Sequence, residues 1–314
     1  MVNVNRLISI ATYDIGTNTL NMRRKCKSDR RLDGKVVVIT GANTGIGKET
    51  ALLLSKRGPK IYMGCRNIEK AESAINDIKT ANPGADIVAL KLDLASLKSV
   101  RQFASELKER ESVIDILINN AGIMACPEWK TKDGFEMQFG TNYLGPFLLN
   151  MLLLPQLKQS SGVARIVNVS SSMHAVGRIK FDNLNLVNGA YNPTRAYGQS
   201  KLAVVLATRE MARRLGPKST VNCYVLNPGA VKTELQRHSS ATKMMDSLFI
   251  TPELGSQTTL YCSLDESLDK ESGFYYDNCK RVDKMVKEAT DDLTANKLWD
   301  ITCDLVDIDK HLKI

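Results

Sequence analysis

From Lys35 onward, short β-branched runs alternate with longer stretches of helical periodicity, and few architectures accept that rhythm. Val36–Thr40, Lys60–Gly64, Ile87–Lys91, Ile114–Asn119, Arg165–Ser170 and Thr220–Leu226 read as six strands, with Gly273–Tyr276 a short seventh. Such near-continuous apolar strands belong to a parallel sheet covered on both faces. Between them the pattern predicts helices at Gly45–Arg57, Ile68–Ala81, Leu97–Arg110, Lys132–Lys158, Thr194–Leu215 and Glu253–Leu264, and a last one at Thr290–Cys303. Gly58-Pro59 stops the first and Gly216-Pro217 the fifth. Right-handed crossovers then order a seven-stranded, mostly parallel sheet 3-2-1-4-5-6-7, a single doubly wound α/β domain. It spans residues 33–314, behind a basic arm formed by residues 1–32.

The turn after the first strand gives that sheet a task. Thr40-Gly41-Ala42-Asn43-Thr44-Gly45-Ile46-Gly47 sets three glycines where a buried strand passes into a helix. Without β-carbons they let the backbone approach a pyrophosphate, and the helix N-terminus offers N–H groups and partial positive charge. The spacing G-x3-G-x-G departs from the general dinucleotide fingerprint, and a glycine triplet alone also serves as a plain turn. Its place between a buried strand and Lys48-Glu49-Thr50 favours the cofactor.

The second strand ends in Gly64-Cys65-Arg66-Asn67, without the acid that would hold an adenine ribose 2′-hydroxyl. Arg66 can instead fork onto a 2′-phosphate, which favours NADP(H) over NAD(H); its plainer role is to close a strand at the surface. Asp93-Leu94 follows the third strand, where a carboxylate can accept the adenine amino group. Asn119-Asn120-Ala121-Gly122 ends the fourth at the crevice where open α/β sheets bind ligands, and it is also a good turn sequence.

The formal charge of +9 invites a nucleic-acid reading, but its distribution does not support one. Residues 1–35 hold eight basic side chains against three acidic ones, over half the excess. Such a stretch in front of a folded domain reads as a solvated arm, with membrane headgroups its next partner. No nucleic-acid module accompanies it. Seven cysteines form no CxxC pair, as in a reducing compartment, so the cytoplasm, or the cytosolic face of an intracellular membrane, is the expected location. The three histidines stand far apart, and no metal site is expected.

Further along come Ser170-Ser171, Tyr197-x3-Lys201 and Pro228-Gly229. Together with the glycine turn and Asn119–Gly122, in this order, they resemble the short-chain dehydrogenases/reductases, a Rossmann-type family, over nearly everything after Asp33. Within it the chain is most similar to the NADP-dependent retinol dehydrogenase-like group. The similar segments are Gly34-Lys35-Val36, Gly122-Ile123-Met124, Lys132-Asp133-Gly134-Phe135-Glu136, Asn142-Tyr143-Leu144-Gly145 and Tyr197-x-x-Ser200-Lys201-Leu202-Ala203.

Tyrosine titrates near ~10 in water, too high for a good base at neutral pH. Lys201, one helical turn along on the same face, stabilises the phenolate and lowers that value. Tyr197 then donates a proton to a carbonyl oxygen as hydride arrives, or accepts one in reverse. Ser171 is suited to hydrogen-bond the same oxygen. The resemblance selects Ser171 over Ser170 and Ser172, since the family's serine is usually the second of the pair. It also implies that Lys201 holds the nicotinamide ribose, that Asn142 supports a proton-relaying water, and that Pro228, Gly229, Val231 and Thr233 meet the carboxamide.

Tyr276-x3-Lys280 also reads Tyr-x3-Lys, but it precedes a turn-like Asp-Asn and opens no apolar helix, so a structural tyrosine is expected. His174 close after Ser171 invites a Ser–His hydrolase, yet no acid is placed to orient it. Leu235, Met244, Met245, Leu248 and Phe249 can form an apolar lid or pack on a neighbour. Relatives usually begin with an apolar anchor, which residues 1–32 lack, and often carry histidine at the positions of Pro146 and Asn227. The expectation is an NADP(H)-dependent oxidoreductase for an apolar aldehyde, ketone or alcohol, with a homodimer compatible with the pattern. Its rival is an NADP(H)-binding sensor in which catalysis is incidental; nucleotide-sugar chemistry would need a larger C-terminal domain.

Overall fold

Eight strands form one sheet in the order 3-2-1-4-5-6-7-8, every neighbouring pair parallel except the last. They are β1 Val36–Thr40, β2 Lys60–Cys65, β3 Asp86–Lys91, β4 Ile116–Asn119, β5 Ala164–Val169, β6 Val221–Asn227, β7 Phe274–Asp277 and β8 Lys280–Arg281. The computed structural model describes residues 23–233 and 249–314, with positions 6, 9, 12 and 16 ahead of them. The doubly wound order expected for strands one to seven is borne out. The eighth was not foreseen: it is two residues long and returns antiparallel through Asn278 and Cys279, both at positive φ (51° and 52°).

Side chains alternate strictly across this sheet. Val36 and Val38 of β1, Leu117 of β4 and Val221, Cys223 and Val225 of β6 face one apolar layer. Val37, Ile39, Ile116, Ile118, Tyr224 and Leu226 face the other. The first layer is closed by α3 Leu97–Arg110, α4 Gly145–Leu157, α5 Pro193–Leu215 and α7 Asp292–Leu305, the second by α1 Gly45–Ser55, α2 Ile68–Ala81 and α6 Pro252–Leu264. Helix α7 lies on α5, and its buried Trp299 meets the Phe147 ring of α4 edge-on at 4.8 Å.

The expected long helix from Lys132 does not form there. Gly134 turns at φ 86° and Lys130 bridges Glu136, so the chain doubles back before any helix starts. The buried Glu136 carboxylate then accepts the Gln138 and Phe139 N–H groups, starting a short turn at Met137–Phe139. A π-helical stretch, Gly140–Leu144, joins it to α4. Pro155 does not interrupt α4, which ends at Leu157.

Residues 23–32 lie against the domain, and several of their cations are paired. Arg23 meets Asp277, Lys25 meets Glu253, and Arg30 meets Glu266 and Asp269. Arg165, buried at the foot of β5, shares Asp269 with Arg30. Among the described residues no helix is long and apolar enough to cross a membrane.

Candidate active site

The glycine turn is held by close backbone contacts. Gly41 has φ 65°, and a β-carbon there would stand 2.8 Å from Ala121. On Gly47 it would stand 2.4 Å from both Asn120 Nδ2 and the Gly41 carbonyl. Asn120 ties the turn together by donating to the carbonyls of Thr40 (3.0 Å) and Gly41 (3.2 Å). Thr44 caps α1 without a side-chain hydrogen bond, whereas Asn67, Ser96, Asn192, Thr251 and Asp291 each cap their helices with one. With no acid in its first turn, α1 presents its N–H groups and positive dipole end to the trough.

Gly41, Asn43, Thr44, Gly45, Ile46, Gly47, Asn120, Ala121, Gly122 and Thr233 line a crevice of about 430 Å³, together with Arg66, Asn67 and Lys70. It carries two cations and no carboxylate. A second crevice of about 350 Å³ shares Gly41, Asn43, Arg66, Ala121 and Gly122, and adds Asp93, Leu94, Ile123 and Trp129. The two form one elongated trough along the carboxyl ends of the strands. A floor on which no β-carbon fits, an uncapped helix end and a cationic far wall suit an extended pyrophosphate-bridged dinucleotide. Asp93 borders the trough, but its carboxylate accepts the Ala95 N–H and meets Lys132 at 3.1 Å.

Beyond the Gly122 end stand the groups suited to proton transfer. Helix α5 carries Tyr197 and Lys201, both buried. The Lys201 Nζ lies 5.7 Å from the Tyr197 ring centre, donates to the Val169 carbonyl at 2.9 Å, and lies 3.6 Å from where Gly122 would carry a β-carbon. Burial pulls the Lys201 ammonium down to about 8. Asn142, in the π-helical stretch, donates to the Ile123 carbonyl (3.0 Å) and to Ser200 Oγ (3.0 Å) and accepts the Ile123 N–H (2.8 Å). Ser200 in turn donates to the Tyr197 carbonyl, so Asn142 connects the trough's rim to α5.

After β5 the serines divide. Ser170 is buried and donates to the Lys201 carbonyl at 2.9 Å. Ser171, more exposed, caps the 3-10 turn Ser172–Val176 by accepting the Met173 N–H. His174 does not face the Ser171 hydroxyl: its Nδ1 donates to the Ser171 carbonyl at 2.7 Å, its ring meets Tyr275 at a 52° tilt, and burial lowers its pKa. Tyr276 is buried on the opposite layer, bonded to Glu271, as its structural reading expected.

Pro228 and Gly229 follow β6, Gly229 at φ 85°. Val231 bridges Ile250 in parallel, and Thr233 stands over the turn, its Cγ2 3.0 Å from a β-carbon on Gly45. Leu235, Met244, Met245 and Leu248 lie outside the described residues.

Several contributors were missed from the sequence. Thr40 Oγ1 accepts the N–H groups of Asn120 (3.1 Å) and Ala121 (3.0 Å), fastening β4's end to the glycine turn. Lys70 shares the crevice with Arg66; its spacing, one helical turn after Arg66, was the available signal. Asn227 Oδ1 accepts the N–H groups of Ser172 and Gly229, and nothing local to its sequence announces this.

The short chain dehydrogenase family model matches residues 35–244. Human retinol dehydrogenase 11 is 48% identical over 285 residues, covering 90% of this chain and 88% of the relative. Human retinol dehydrogenase 13 is 47% identical over 295 residues, with the same coverage of each chain. Among solved structures, an uncharacterised Mycobacterium paratuberculosis protein is 35% identical, with a TM-score of 0.74 over 89% of this chain and 96% of its own. Sequence, sheet order and the trough with its Tyr197/Lys201 helix agree, and the chain belongs to the short-chain dehydrogenase family of oxidoreductases.

Proposed function

We propose that the chain is an NADP(H)-dependent oxidoreductase that moves hydride between the nicotinamide and an apolar aldehyde, ketone or alcohol, with retinoids the leading substrate class. The observation that carries this reading is the buried Lys201 ammonium between the Tyr197 ring and Gly122 on the trough's rim. The substrate class is supported by the names of the relatives, retinol dehydrogenases 11, 12 and 13. For the phosphate, support comes from Arg66 and Lys70 sharing the crevice, with Arg66 rather than an acid following β2.

The nicotinamide supplies or receives the hydride. Tyr197 delivers a proton to the substrate oxygen in reduction and withdraws it in oxidation. Lys201, charged below about pH 8, favours the phenolate of Tyr197 electrostatically and would hold the ribose of a bound cofactor. Ser171 donates to the oxygen where negative charge develops. Asn142 fixes the Ile123 backbone and supports a water through which α5 exchanges protons with solvent. Under cellular NADPH excess these groups run as a carbonyl reductase.

The test is NADPH oxidation with retinaldehyde, medium-chain aldehydes, steroids and quinones. Turnover of the apolar carbonyls is expected. NADPH binding without turnover of any of them would overturn the assignment.

A further inference from the structure

We propose that Arg23, Asp277 and Asn227 form a buried positioning relay through which the segment ahead of the domain sets the turn at Pro228-Gly229 and the loop opened by Ser171. The inference rests on the roles given to those two segments under the proposed function.

Asn227 ends β6 and is 1% exposed. Its Oδ1 accepts the N–H of Ser172 and the N–H of Gly229, each at 3.2 Å. One amide oxygen thereby joins the loop after β5 to the turn after β6. Its Nδ2 donates to Asp277 Oδ2 at 3.1 Å, and Arg23 Nη1 donates to Asp277 Oδ1 at 3.3 Å. The side chains of Arg23 and Asp277 are 4% and 8% exposed, so solvent screens this pair little. Rotating the Asn227 amide by half a turn would point its NH2 at two N–H donors and its oxygen at a carboxylate. The Asp277 carboxylate therefore fixes the amide's sense, and the Arg23 guanidinium holds that carboxylate in place.

A second contact runs directly. A β-carbon on Gly229 would stand 2.1 Å from Arg23 Nη2 and 2.6 Å from its Cζ, so the guanidinium packs against the turn's glycine. Arg23 and Asp277 both fall outside residues 35–244, the part matched by the family model, and are 254 positions apart. Two segments far apart in the chain thus meet at a turn that family resemblance reads as facing the nicotinamide.

The test compares Arg23→Met, Asn227→Ala, their double variant and Asn227→His in the full chain, by steady-state kinetics, NADPH titration and thermal unfolding. Asn227→Ala should lower kcat about 10-fold or more, and Arg23→Met about 3- to 10-fold, with KM for the carbonyl changed less than about 3-fold. The double variant should lose little more than Asn227→Ala alone, because the relay and the direct contact of Arg23 both fix the same turn at Gly229. Asn227→His should recover most of the loss, since an imidazole can accept from the loop with one nitrogen and donate to Asp277 with the other. A purely structural role predicts lower melting temperatures with unchanged kcat, and that result overturns the relay, as does a double variant whose losses multiply. Should Asn227→Ala fail to fold, Arg23→Met decides alone: kcat equal to the parent overturns the proposal. A parent that turns over no carbonyl sinks the proposed function and not the relay. The relay is then judged on NADPH affinity, where a non-additive weakening supports it and additive or absent effects overturn it.

Discussion

The Lys201 ammonium rests on the Val169 carbonyl, 2.9 Å away, and burial is what draws its pKa down to about 8. An unfolded lysine titrates near ~10.4. Between these values the unfolded chain holds the proton that the folded chain has released, so this group makes stability rise with pH from about 8 to about 10.4. At pH 7 the fold carries the cost of keeping Lys201 charged. Lys201→Met is therefore expected to raise stability at pH 7 by on the order of 1–3 kcal/mol while nearly abolishing turnover. Urea unfolding beside kcat checks both; a variant that is less stable than the parent contradicts the account. In the parent, kcat/KM for reduction should decline as pH rises through about 8.

Tyr197→Phe removes the transferable proton and leaves the ring's packing. Turnover should fall by about 10²- to 10⁴-fold, with the NADPH dissociation constant within about 3-fold of the parent. Retained activity would falsify the role given to this phenol.

Arg66 and Lys70 share the crevice with Asn67 at the end of β2. A hydrogen bond to a charged group contributes about 1.5–3 kcal/mol, so Arg66→Ala with Lys70→Ala should cut the NADPH-over-NADH ratio of kcat/KM by roughly 10- to 100-fold or more. The NADH constants should hardly move. A parent that already prefers NADH sinks the phosphate assignment.

Gly47 leaves no room for a methyl group, because both nearest atoms, Asn120 Nδ2 and the Gly41 carbonyl, would lie at 2.4 Å. Gly47→Ala should weaken NADPH binding more than about 10-fold and cost about 1–3 kcal/mol of stability. Gly162→Ala is the control, since no atom lies within 4 Å of its added carbon. Equal behaviour of the two variants would show that the turn is not tightly held.

Strands and most helices were legible because the sheet is buried on both faces, which writes β-branched runs such as Val36–Ile39 into the chain. Gly41 and Gly47 were legible for a related reason: their neighbours admit no side chain. What escaped depends on contacts between distant segments. The start of the Met137 turn is set by Gly134 and by capping from Glu136, against a helical periodicity that runs on from Lys132. β8 exists through two non-glycine residues at positive φ, which composition does not advertise. Arg23 reads as one more cation of a basic stretch until the fold sets it against Asp277 and Gly229.

The π-helical stretch at Gly140–Leu144 bears on how this region can vary. A π turn holds one residue more than an α turn, and each helical residue accounts for roughly 100° of rotation. Deleting a single residue there would tighten the coil and swing Gln138, Phe139 and the Asn142 amide away from their present partners. Exchanging a side chain at Thr141 or Tyr143 leaves that phase intact. At this point of the fold, chain length constrains the site alongside the identity of Asn142.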